Sequence, residues 1–241
     1  MDTLFAKVGS TLTLSQRVEK RIEEVIRQKK ILPGEKLPTE KELCEMFAVS
    51  RTALREALRM LSGRGLITIR KGSGIYVNDY SAANAIKPMS LFLELNFDKD
   101  LISHVIHVRQ MLEPQIARMA ASHRTEEDLR ALNHNLKKFV ECRIDDYRRE
   151  GELDREFHLL LAKASGNPII PVMAEPIFRL MPKIRTLVYA HVDHAKSAAL
   201  EFHQKLVEAI RDKDEDRAEQ AMIRHLGLAE EHSRKVLEVI E

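Results

Sequence analysis

Apolar positions along the chain recur mainly at helical spacing. Val18, Ile22, Val25 and Ile26 form one stripe with Arg and Glu between them, which predicts a helix from near Ser15. Pro33-Gly34 ends it. Thr39 and Glu42 then make a capping box: the Thr oxygen takes the N3 amide and the Glu carboxylate reaches back to the cap amide. Leu43, Met46 and Phe47 are the apolar face of the short helix that follows. Ala48-Val49 leaves room only for a turn, and Ser50 caps a third helix with Leu54, Ala57, Leu58 and Leu61 inward. Gly63 and Gly65 stop that helix. Two short β-prone runs come next, Leu66 to Arg70 and Ile75 to Val77, joined by Lys71-Gly72-Ser73-Gly74 as a hairpin.

Residues 78–87 are polar and alanine-rich and read as a linker. Beyond them the spacing is helical throughout. Asp100 to Ser122 is one apolar-periodic stretch that Pro114 should kink or split. Thr125 and Asp128 open a helix expected to run to about Arg149, and a further helix covers Leu153 to Ala164. Pro168, Pro171, Pro176 and Pro182 should bend the next segment. Two more helices are expected at Ala195 to Arg211 and Glu215 to Ile240. The expectation is therefore a mainly α protein in two parts. Residues 1–78 form a winged helix-turn-helix of three helices and a small β-hairpin wing. After the linker at 79–87, residues 88–241 form an all-α bundle of six or seven helices.

Charge sharpens that division. The net charge of +2 conceals a first part, residues 1–78, with 15 Lys+Arg against 9 Asp+Glu, and a net-acidic remainder. A basic module of this shape points to double-stranded DNA. The third helix presents Arg51, Thr52, Arg55 and Arg59 away from its core face, with Arg51 and Arg55 one turn apart at its N-terminal end. That end of a recognition helix enters the major groove, where Arg grips guanine bidentately and Ser50 and Thr52 can bond phosphate or base. Lys71 and Gly72 at the wing tip can reach the DNA backbone or the minor groove. The bland alternative is a solvated basic helix.

No apolar run approaches the ~20 residues of a membrane span, and Met1 to Ser10 lacks a leader pattern, so a cytoplasmic protein is expected. The two cysteines, Cys44 and Cys142, match no metal or redox spacing.

In the second part the chemistry lies in histidines. Asp154 and His158 share one helix face; His203 and His225 lie on the last two helices, each on an inner face. One carboxylate and three imidazoles suit a divalent ion such as Zn, Ni or Mn. On spacing alone, ten histidines in a helical chain produce an Asp-x-x-x-His by chance, and inward histidines are more often satisfied by hydrogen bonds. Arg109 and Glu113, four apart, read on spacing as an ordinary surface pair.

Leu37-Pro38-Thr39-Glu40-Lys41-Glu42-Leu43, Val49-Ser50-Arg51-Thr52-Ala53-Leu54-Arg55-Glu56-Ala57-Leu58 and Gly72-Ser73-Gly74-Ile75-Tyr76-Val77 resemble the GntR family of bacterial transcription regulators. Arg109-x-x-x-Glu113, Asp154-x-x-Phe157-His158, Ala164-Ser165-Gly166-Asn167, His203 and Ala221-Met222-x-x-His225-Leu226 resemble the FCD ligand-binding domain of its FadR subfamily. The first resemblance implies DNA contacts from Lys41, Ser50, Arg51, Thr52, Arg55, Lys71 and Gly72. Lys41 stands where the family carries Arg, which keeps a phosphate contact and loses the bidentate fork. The second implies a divalent ion on Asp154, His158, His203 and His225, and an organic carboxylate effector met by Arg109, Glu113 and Asn167. Together they imply a homodimer that reads an inverted-repeat operator. Two other readings compete with this one: a metalloenzyme built on the same four ligands, and an architectural DNA-binding protein with no ligand.

Overall fold

A computed structural model describes residues 12–79, 81–143, 146–192 and 194–239. The chain divides into two compact units, residues 1–84 and 85–241. Residues 1–10, read above for a leader, and Ile240 at the expected end of the last helix lie outside the described residues.

The first unit holds α1 (Leu14–Arg27), α2 (Glu40–Phe47), α3 (Arg51–Gly63), β1 (Ile67–Arg70) and β2 (Gly74–Val77). Capping boxes start α1 and α2: Thr13 with Gln16, and Thr39 with Glu42. Ala48 ends α2 in the left-handed region at φ 52°, and Ser50 restarts the chain by accepting from the Ala53 amide at 3.3 Å. Val18, Ile22, Leu43, Leu54, Leu58, Leu61, Ile67 and Val77 close into one core. β1 and β2 pair antiparallel, Ile67 opposite Val77. The free edge of β2 is also covered. The Gly34 amide donates to Val77, the Leu37 amide to Ile75, and the Val77 amide to Glu35, all at 2.8–2.9 Å. Thus the Pro33-Gly34 breaker begins a third extended segment, which shields the wing from open edge pairing.

A helix α4 (Ala83–Leu95) occupies the end of the expected linker. Seven helices then make the bundle: α5 (Lys99–His123), α6 (Glu126–Glu141), α7 (Tyr147–Ala164), α8 (Ile169–Phe178), α9 (Met181–His191), α10 (Ala195–Arg211) and α11 (Glu215–Val239). Three boundaries differ from expectation. First, α5 runs without a break through Pro114. Proline removes one donor, toward Gln110, and the buried neighbours Glu113, Ile116 and Ala117 hold the helix together across that gap. Second, the helix begun at Thr125 stops at Glu141 rather than near Arg149, and Asp146 caps α7 by accepting from the Arg149 amide at 3.0 Å. Polar residues there carried no visible stop signal. Third, α7 begins at Tyr147 rather than Leu153, whereas the proline-rich segment is bent as expected, into two short helices that break at Arg179 and Leu180.

α11 packs along α5, and α7 lies against α5, α6, α8 and α9. Two apolar clusters result. One contains Phe157, Leu206 and Met222; the other contains Phe139, Leu153 and Val188. Phe157 stacks on the His203 ring with centroids 3.8 Å apart, and Phe139 lies 5.8 Å from the same ring, so His203 sits where the two clusters meet.

Candidate DNA-reading face and metal centre

In the first unit, Lys41, Ser50, Arg51, Thr52, Arg55, Lys71 and Gly72 are all exposed. Arg55 from α3 and Lys71 and Gly72 from the hairpin line one open trough, together with Glu40. Arg55 Nε donates to Glu40 Oε2 at 2.9 Å. Glu40 opens α2, so the first helix of the pair fixes the direction of an arginine on the second. The sequence reading singled out Arg55 and passed over Glu40, because residues 15 apart give no spacing signal. Ser50 spends its hydroxyl on the Ala53 amide, which leaves its other lone pair and proton outward.

In the second unit, α7 supplies Asp154 and His158, α10 His203 and α11 His225. All four are buried, and one ligand atom from each lies within 4.8 Å of the others. His158 Nε2 is 3.3 Å from His225 Nε2, and His203 Nε2 is 3.5 Å from Asp154 Oδ1. Among the described residues, neither ring nitrogen of His203 has a hydrogen-bond partner, although its side chain is fully enclosed. Orphaned buried nitrogens are uncommon and costly. A divalent ion bound by the cluster would satisfy the one that faces it, so the donor set fits the group that the sequence implied.

The next ring of residues orients these donors. Oε2 of Glu113 lies against Nδ1 of His158, which directs the Nε2 lone pair of His158 into the cluster. Arg109 Nε donates to Glu113 Oε1, and its Nη2 lies 3.3 Å from His158 Nε2. Arg109 and Glu113 are therefore buried members of the site, not a surface pair: they are 4% and 1% exposed. Arg185 Nε donates to Asp154 Oδ2 at 2.9 Å, and the Tyr189 hydroxyl lies 3.5 Å from Oδ1. Neither Arg185 nor Tyr189 was legible in the sequence, since apolar neighbours on α9 gave them no pattern of their own. Asn167 falls outside the cluster. It is exposed, and its side-chain oxygen accepts from the Ile169 amide two residues on, at 3.0 Å.

Electrostatics keep Asp154, His203 and His225 in their ligating forms. Burial holds His225 well below the usual histidine range and brings His203 down to about 3, against the raising effect of Asp154. Burial alone would raise the two carboxyls. Arg109 and His158 overcome it at Glu113, which falls to about 2. At Asp154, Arg185, His158 and His203 overcome it, and the carboxyl lies below its ordinary range. The result is neutral His203 and His225 imidazoles beside an ionised Asp154, a combination a cation requires.

Residues 14–77 match the family model described as bacterial regulatory proteins, gntR family, and residues 104–228 match the FCD domain. The chain belongs to the GntR family. The uncharacterized HTH-type transcriptional regulator YcbG of Bacillus subtilis is 32% identical over 89% of this chain and 87% of its own. The HTH-type transcriptional repressor NanR of Salmonella typhimurium is 32% identical over 89% of this chain and 82% of its own. A solved GntR structure from Streptococcus agalactiae covers 90% of this chain and 99% of that one, at 29% identity and a TM-score of 0.68. This GntR regulator is accordingly a ligand-responsive transcription regulator with a helix-turn-helix and an FCD domain, and its relatives are regulators, not enzymes. Among the described residues, no helix is long and apolar enough to cross a membrane.

Proposed function

We propose that the chain acts as a cytoplasmic homodimer that reads an inverted-repeat operator and releases or rearranges on it when an organic carboxylate enters the FCD domain. The buried cluster Asp154, His158, His203 and His225 carries this reading. These residues would hold a divalent ion, which would supply Lewis-acid chemistry toward a carboxylate. The protein's own part is recognition and exclusion. Arg185 Nη2 is buried without a partner among the described residues, so an anionic group would complete it. Arg109, already engaged by Glu113, adds positive charge beside the cluster. Glu113 fixes the His158 ring, and Phe157 and Phe139 keep water from His203.

On the DNA side, Arg51 and Arg55 are assigned to base edges. Lys41, Ser50 and Thr52 are assigned to phosphate and groove contacts, and Lys71 and Gly72 to the wing contact. Residues 1–78 serve as the DNA-binding domain, 79–87 as the connection and 88–241 as the sensing and dimerising domain. A dimer sets its recognition helices about 34 Å apart, one DNA turn, and the effector shifts the population of arrangements that match this spacing. A coupling of about 1–3 kcal/mol is expected.

The test is elemental analysis of untagged protein purified without chelators, beside Asp154→Ala/His158→Ala. About one divalent ion per chain in the wild type and none in the variant supports the reading. Equal content in both, or no metal in either, overturns it.

A further inference from the structure

The outer face of the wing carries positive charge that the fold itself does not use. Strand alternation sends Ile67, Ile75 and Val77 into the core and Thr68, Arg70 and Tyr76 to the opposite face. The extended segment beside β2 adds Lys36, which pairs with Tyr76 in an antiparallel bridge and so shares that face. Gly74 leaves room for its stem: a Cβ there would collide with Lys36 Cε and lie 3.0 Å from Nζ. The ammonium therefore lies across β2 at the position opposite Arg70 in β1. Tyr76 holds that arginine in turn. The guanidinium carbon is 4.8 Å from the ring centroid, and the phenol is tied to the Ser73 hydroxyl at 2.8 Å.

Lys36, Arg70 and Lys71 are all exposed, and all three border the trough that holds Arg55. Among the described residues, no carboxylate lies within ion-pair distance of these three, whereas Arg55 is paired with Glu40. The acids nearest Lys36 in sequence are spent on amides. Glu35 Oε2 accepts from the Leu32 amide and Glu42 Oε2 from the Thr39 amide, each at 2.7 Å. Like charges gathered on neighbouring strand positions repel one another and work against the fold. A polyanion would offset that repulsion. An acidic protein surface has the right sign, but this face is continuous with the DNA-reading trough, and the DNA backbone repeats its charge at close intervals. We propose that Lys36 and Arg70 form a second phosphate-binding surface on the outer face of the wing, which grips the DNA backbone on the side of the hairpin away from α3. Neither residue is among the positions that the family resemblance assigns to DNA. The surface adds affinity without sequence preference, because phosphates carry no sequence information. The inference rests on the wing contact of Lys71 and Gly72 and extends it to the other face.

Fluorescence anisotropy titrations of the full-length protein test it. The probes are a duplex recovered by in vitro selection on the wild type and a scrambled duplex of the same length and composition. Lys36→Gln/Arg70→Gln should lower the salt slope by about two, so that its loss of affinity is about tenfold greater at 50 mM than at 200 mM salt. Both duplexes should weaken alike, with their affinity ratio within about twofold of wild type. Ethylation interference should show one block of phosphates, separate from those tied to Arg55→Ala, at which the wild type is sensitive and the double variant is not. If the double variant fails to fold, Lys36→Gln and Arg70→Gln carry the test singly, each with a slope change of about one. An unchanged slope beside a lowered one for Lys71→Ala overturns the inference, leaves the wing contact standing and gives this face to an acidic protein. Weakening of the selected duplex alone also overturns it, because both duplexes share the phosphate contacts. Unchanged slopes in all of these variants, Lys71→Ala included, overturn the inference and the wing contact together.

Discussion

Arg185 donates from Nε to Oδ2 of Asp154 at 2.9 Å, and neither side chain reaches solvent to any extent. The arginine thereby turns the other carboxylate oxygen, Oδ1, toward His203 and His158. Arg185→Met should weaken metal affinity by roughly 10–100-fold, as removal of a ligand-orienting residue does. In the metal-free protein it should also cost about 3–5 kcal/mol, because Asp154 is left as an uncompensated buried charge. A competing fluorescent chelator reads the first effect and urea unfolding the second. Wild-type values of both would remove Arg185 from the site.

Acid should destabilise the metal-free protein. His203 and His225 are depressed in the fold, His203 to about 3, so between there and the unfolded value near 6.5 the unfolded chain holds more protons. Their contribution is complete above that unfolded value and is lost as pH falls through the window. Glu113, at about 2 against an ordinary 4.5, adds a second loss that begins below the latter. Stability should fall from pH 7 toward pH 4 with a slope of up to ~1.4 kcal/mol per pH unit for each group. Urea midpoints across that range check it. A flat profile, or a rise toward acid, would contradict the neutral-histidine assignment.

Gly151 on α7 lets α9 approach closely. A Cβ at this position would meet the Pro182 Cα at 2.9 Å and its carbonyl oxygen at 3.0 Å. Gly151→Ala should therefore destabilise by about 1–3 kcal/mol through overpacking, although alanine is the better helix former. Thermal unfolding reads the change. A gain in stability would show that α7 and α9 can separate freely.

Arg51→Ala and Arg55→Ala should each cost about 1–3 kcal/mol of specific operator binding and relax base preference. Glu40→Gln leaves every DNA-facing cation in place and releases Arg55 from its 2.9 Å partner. It should reduce discrimination between operators more than it reduces non-specific affinity. Lys71→Ala should weaken all sequences alike and lower the salt slope by about one. Titrations of matched and mismatched duplexes at several salt concentrations separate these outcomes.

The sequence by itself determined the features that depend on neighbours along the chain. Caps at Thr39, Ser50 and Thr125, glycines in the wing and the apolar stripes of α1 to α3 fixed those elements, because each is a local hydrogen bond or a face of one helix. Asp154, His158, His203 and His225 were legible through their helix faces together with family resemblance. Their convergence was not, for three helices must pack before those ligand atoms lie within 4.8 Å of one another. Only the tertiary structure decided that Arg109 and Glu113 are buried rather than a surface pair, that Arg185 and Tyr189 brace Asp154, and that Asn167 lies exposed outside the cluster with its side-chain oxygen on the Ile169 amide. It also decided that Pro114 is carried within one helix. Long-range packing sets the dielectric and the partner of each charge. No periodicity along one chain encodes which side chain from α9 or α5 arrives beside a carboxylate on α7.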